Sequence, residues 1–205
     1  MRNFFLITVL LVLVSCQKAK DKATESITNK VLEKTLEQVG VASENIERAN
    51  KNNAEVSINY NSVELFGSAQ PFATVLNVAG KQMMVFSINS ENAKINLSFS
   101  GLKDMLEHKP ITGFFEKGKE EPKTANGTVV SITMAKENAF TYMLMEGEAT
   151  ITKLNQDEVV VEFTGKAGTF LDANSPENWK PIQGKISSKY PVMNFIQVKK
   201  EELFY

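Results

Sequence analysis

Hydrophobic and polar positions change their period near residue 54. Beyond it, Val56, Ile58 and Tyr60 alternate with Glu55, Ser57 and Asn59. Ile95, Leu97 and Phe99 alternate with Asn96, Ser98 and Ser100, and Val130, Ile132 and Met134 with Ser131 and Thr133. Val159, Val161 and Phe163 alternate with Val160, Glu162 and Thr164. A period of two describes antiparallel strands with one buried and one wet face. Residues 72–78, 81–88, 111–115, 140–145, 148–154 and 182–190 read as further strands. Ala79-Gly80, Ser90-Glu91-Asn92, Glu137-Asn138, Glu146-Gly147 and Asn155-Gln156-Asp157 are turn-like breaks between them. About ten short strands in succession predict a meander that packs as an antiparallel β-sandwich or a barrel. Residues 101–108 are expected to form one helical turn, and residues 117–126 and 172–180 long polar loops.

Ahead of residue 54 the period is helical. Ile27, Val31, Leu32, Leu36 and Val39 form an apolar stripe, with Glu25, Lys30, Glu33, Lys34 and Glu37 opposite. This predicts an amphipathic helix over 23–39, ended by Gly40. The expected role is a helix that docks on the domain behind it, with a stalk or a partner helix as the alternative; the stripe is too short for a stable coiled coil. Ser43 reads as the N-cap of a second, short helix reaching about Lys51.

The extreme N-terminus has another character. Phe4 to Val14 is apolar apart from Thr8 and follows Arg2. A membrane-spanning helix needs about 20 apolar residues, so this run fits the core of a signal peptide. Leu13-Val14-Ser15-Cys16 resembles the lipobox of bacterial lipoproteins. The resemblance implies cleavage before Cys16 and acylation of its thiol, with membrane lipid as the partner of that residue. It also implies a lipid anchor in the bacterial cell envelope, at the outer membrane, with the leaflet left open. The chain then divides into a signal peptide (1–15), a lipidated Lys-rich tether (16–22), a helical segment (23–53) and an antiparallel β domain (54–205).

Within the β domain, Gly147, Thr150-Ile151-Thr152-Lys153, Gly165, Phe170 and Gly184-Lys185-Ile186 recur in order. The order resembles uncharacterised β-rich domains of Bacteroidota lipoproteins. It implies a calycin-like barrel or sandwich and no agreed activity.

Composition narrows the chemistry. Twenty-three Lys and Arg against 24 Asp and Glu, in 205 residues, are not the balance of a nucleic-acid binder. One Cys and one His exclude a Cys/His zinc site and a disulfide framework within the chain. Neither a phosphate-binding glycine loop nor a nucleophile elbow is present. Ser100-Gly101-Leu102-Lys103 matches a Ser–Lys spacing, but its Ser ends a strand on the wet face. His108, beside Lys109-Pro110, reads as a surface histidine. Glu120-Glu121, Asp157-Glu158 and Glu201-Glu202 are adjacent carboxylates, unlike glycosidase pairs that face each other across a cleft. Asp172 to Glu177 lacks the glycine of a calcium loop. No catalytic residue, metal or cofactor is therefore assigned.

Trp179, Tyr190 and Phe115 fall by expected loops and are the candidates for contact with a ligand or partner. The expected function is a lipid-anchored, non-enzymatic binding or interaction module, taking a protein, a glycan or an apolar molecule. The alternatives are an envelope hydrolase with unplaced carboxylates, or a structural component of an envelope complex.

Overall fold

The computed structural model describes residues 42–47, 51–66, 71–101, 105–117, 126–134 and 140–205. Cys16, the tether 16–22, the helix expected over 23–39 and the break at Glu137-Asn138 lie outside the described residues. Within them the protein is mainly β. The strands are β1 (Ser43–Ile46), β2 (Asn53–Tyr60), β3 (Val63–Glu64), β4 (Ala73–Ala79), β5 (Met83–Asn89) and β6 (Ala93–Ser100). They continue with β7 (Ile111–Glu116), β8 (Asn126–Met134), β9 (Phe140–Leu154), β10 (Glu158–Thr169), β11 (Lys180–Lys189) and β12 (Val192–Ile196). All join one open, curled sheet in the order β1-β12-β4-β5-β6-β8-β7-β9-β10-β11-β2-β3. Among the described residues no helix is long and apolar enough to cross a membrane.

The inward positions of this sheet form one contiguous apolar cluster, with Phe86, Phe99 and Phe195 fully buried within it. Alternation decides this: Leu76 and Val78, Phe86 and Ile88, Leu97 and Phe99 are the inward residues of their strands. Thr74, Thr128 and Ser188 are the buried polar residues among those described. The C-terminus docks on the body of the sheet. Tyr205 donates its hydroxyl to the Ile151 carbonyl at 2.5 Å and accepts the Ile111 amide at 3.1 Å. Helix α1 (Lys200–Leu203) buries Leu203 on the same side.

Two features curl the sheet. The first is a corner in the longest strands. β9 pairs with β8 over Phe140–Met143 and with β7 over Glu146–Ile151. The change of partner falls just before Gly147, which lies opposite Gly165 of β10. Their φ values are 148° and 155°, and a Cβ on Gly165 would stand 2.0 Å from the Glu146 carbonyl oxygen. Only glycine lets the two backbones approach this closely, and the register shifts beside them at Lys166/Ala167. The turn expected at Glu146-Gly147 is therefore a bend inside one strand.

The second feature joins distant parts of the sheet. Asn52, just before β2, donates Nδ2 to the Thr74 carbonyl at 2.8 Å and accepts the Thr74 amide at 3.0 Å. Strand β12 pairs with β4 only from Val75 onward, so this amide completes the ladder at Thr74. The Thr74 hydroxyl donates to Asn52 Oδ1 at 2.7 Å, which leaves the Ser188 hydroxyl to donate to Thr74 at 2.5 Å. At the other end of β2, Tyr60 stacks on Tyr142 near the start of β9, ring centroids 4.3 Å apart. Strand β2 thus reaches from the start of β4 to the start of β9.

This curling explains two departures from a simple meander. Ser188 of β11 already touches β4, so only Tyr190 and Pro191 are needed before β12 runs parallel to β4. The helix expected from Ser43 is also absent: Ser43–Ile46 is a strand on the sheet edge, antiparallel to β12. A helix this short is marginal in water. The free edge of β12 offers backbone partners, and Ile46 packs against the core instead.

Candidate functional site

The site lies where β10 ends. After Thr169 the chain makes a 3₁₀ turn, η1 (Phe170–Asp172), and a second one, η2 (Pro176–Asn178), before β11 begins. Asp172 organises the segment. One carboxylate oxygen accepts the Thr169 amide at 3.0 Å and its hydroxyl at 2.6 Å; the other accepts Asn178 Nδ2 at 3.3 Å. These hydrogen bonds, the Thr169 hydroxyl first, hold the Asp172 carboxyl below its ordinary pKa. The Trp179 indole donates to the Asp172 carbonyl at 2.9 Å. Lys117, from the end of β7, donates to the Ala173 carbonyl at 2.5 Å and to Asn174 Oδ1 at 3.2 Å.

The braced segment displays two apolar side chains. Phe170 is 78% exposed and Leu171 91% exposed. Beside them η1 packs on β9 and β10. There Phe140, itself exposed, meets Tyr142 edge-on at 5.0 Å, and Tyr142 in turn stacks on Tyr60. Burial raises the pKa of both tyrosines. Val63, exposed on the short β3, is the cross-strand partner of Tyr60. The arrangement is a convex apolar tip on a hydrogen-bonded support.

A second feature is a shallow open groove of about 480 Å³ on the outer surface of β2, β11, β10 and β9. Glu148, Thr150, Glu162, Thr164, Gln183 and Lys185 are among the side chains lining it. Glu162 is ion-paired with Lys185 at 2.8 Å, and Thr150 shares a hydroxyl hydrogen bond with Thr112 at 2.9 Å. Its carboxylates stand on an open, solvated face.

The structure distributes the residues selected from the sequence. Trp179 is half-buried and supports the η1 turn. Tyr190 lies past the opposite end of β11, with a φ of 50° and with Lys51 Nζ 5.5 Å above its ring. Phe115 packs against the core from β7. The three are not brought together, and Cys16 lies outside the described residues. His108 and Ser100 are exposed, as the pattern predicts. Among the described residues no group of three or more His, Cys, Asp or Glu is placed to hold a metal ion. Sequence reasoning took Phe170 only as part of a family pattern and passed over Leu171. The available signal was the dipeptide itself: adjacent apolar residues at a strand end, before a turn-forming run, cannot both face inward. No protein-family model, curated protein or solved structure matches the chain.

Proposed function

We propose that this protein is a lipid-anchored cell-envelope lipoprotein with a calycin-like β domain. In this reading it acts as a non-enzymatic interaction module, and its contact point is the Phe170–Leu171 tip. The exposure of that tip carries the reading. Two large apolar side chains held in water by a braced turn are unfavourable for the isolated molecule and favourable once covered. Burying each one contributes about 1.5 to 3 kcal/mol. Because the turn is already ordered by Asp172, Trp179 and Lys117, little further entropy is lost on binding. The resulting contact is modest, and an anchor at Cys16 would compensate by raising the effective concentration of a partner in the same membrane. An apolar core closed by its own side chains favours surface recognition over a ligand held inside. The solvated carboxylates of the groove, of which Glu162 is ion-paired with Lys185, lend less support to a hydrolase.

The test is site-specific photocrosslinking in intact cells, with the photoreactive residue at Leu171 and, as control, at exposed Glu55. A discrete adduct at Leu171, lost on Phe170→Ser, is expected. Equal labelling at the two positions would remove the tip as the contact. The anchor is tested separately: Cys16→Ser is expected to abolish fatty-acid labelling and cleavage. Labelling that persists in that variant rejects the lipoprotein assignment.

A further inference from the structure

The outer surface of the sheet differs between its two parts. Around β2, β9, β10 and β11 it carries Glu55, Glu148, Glu162 and Lys185, as a solvated face of a chain with 23% charged residues should. Across β12, β4, β5, β6 and β8, Lys94 is the one charged residue among the outward positions. The register lines up Asn45, Asn194, Asn77, Val85, Ser98 and Val129 as one uncharged row. Asn194 donates to Asn77 Oδ1 at 2.8 Å, so this pair satisfies itself along the surface. At the edge of the face, Ser43 Oγ and Asn45 Oδ1 are buried and lack a hydrogen-bond partner. Depletion of charge and buried polar atoms are features of a covered surface.

The chain itself arrives at this edge. The Ala42 carbonyl accepts the Gln197 amide where β1 begins. Only Gly40 and Val41 separate Ala42 from the apolar stripe of Ile27, Val31, Leu32, Leu36 and Val39. We infer that residues 23–39 dock as an amphipathic helix across the outer face of β1, β12, β4, β5, β6 and β8. The short connection confines the end of the stripe to within about 10 Å of Ala42. A helix of this length measures about 25 Å. Six strands at about 4.8 Å spacing, five intervals, present a seat of about 24 Å. The stripe carries no charge to desolvate, and the only charge among the outward positions of the face is Lys94, near the start of β6.

Cys16 is the only cysteine, so the full chain carrying Cys16→Ser accepts a reporter thiol without background. Val85→Cys places it in the middle of the face, and Thr164→Cys on the outer surface of β10 is the control. With a maleimide, Val85→Cys should react slowly. It should accelerate about tenfold or more when Val31→Asp and Leu36→Asp are added, while Thr164→Cys stays unchanged. Equal rates at Val85→Cys with and without the two aspartates overturn the inference. Protection that vanishes on dilution also overturns it, because a second copy then covers the face. In a separate chain, Leu36→Cys and Asn194→Cys should be joined within one molecule by a short bismaleimide. Links only between molecules, or none, count against the inference even if the aspartate variant fails to fold.

Discussion

Glu158 closes the tight connection between β9 and β10 and holds two ammonium groups. Lys153 Nζ lies 2.5 Å from one carboxylate oxygen, and Lys189 bonds the other. These hydrogen bonds, Lys153 first, pull its carboxyl from 4.5 down to about 2. A carboxylate lowered in the folded state stabilises fully above its ordinary value, and the contribution fades as pH falls from 4.5 towards 2. Glu158→Gln should therefore lower stability at pH 7 by about 1 kcal/mol, the scale of well-formed surface pairs. The difference from the parent should close as the pH approaches 2, measured by urea unfolding midpoints across that range. A deficit unchanged at low pH would assign the effect to packing. Asp157-Glu158 was legible in the sequence only as a solvated pair of acids; Lys189, 31 positions on, becomes a partner only through the β10–β11 register.

Two glycines separate strain from close contact at the level of the element. Gly80 turns the β4–β5 hairpin with a φ of 58°, and a Cβ there would have nothing within 4 Å, so an added methyl meets open space. Gly165 has a φ of 155° and no room at all beside Glu146. Gly80→Ala should destabilise by about 1 kcal/mol, the left-handed penalty alone. Gly165→Ala adds a backbone clash and should exceed about 3 kcal/mol. Thermal denaturation of the two variants checks the ranking, and similar losses would refute the corner. The sequence pattern located the hairpin turn at Ala79-Gly80 correctly. It misread Glu146-Gly147 because a glycine that bends a strand and one that ends it look alike until the opposite strand is known. Strand β12 escaped notice because Val192, Met193, Phe195 and Ile196 interrupt the polar alternation.

For the whole molecule, the central question is where the independently stable unit begins. Among the described residues the apolar cluster is drawn from β2 onward, with Ile46 of β1 packed against it. A chain beginning at Val41 should melt cooperatively. One beginning at Ala54 lacks β1 and Asn52, leaving the edge of β12 open and the Thr74 amide and carbonyl without their side-chain partners. Each unsatisfied buried group costs about 1 to 3 kcal/mol, so the shorter chain should be less stable by at least about 2 kcal/mol. Circular dichroism during thermal melting distinguishes the two. Equal midpoints would show that β1 and Asn52 are dispensable, and absence of a cooperative transition in the longer chain would extend the core upstream of residue 41.

Alternation along the chain alone determined that this protein is mainly β, which face of most strands turns inward, and that Ser100 faces solvent. These are local properties: a period of two needs no knowledge of the partner strand. The tertiary structure decided the rest. It converted Ser43–Ile46 from an expected helix to an edge strand, because β12 supplies a ladder that only the folded sheet contains. It separated Trp179, Tyr190 and Phe115, and raised Phe170 and Leu171 into solvent, because Asp172, Asn178 and Trp179 fold into one turn that Lys117 braces from a distant part of the chain. Such convergence depends on how the sheet curls at Gly147 and Gly165, and no periodicity in the sequence records it.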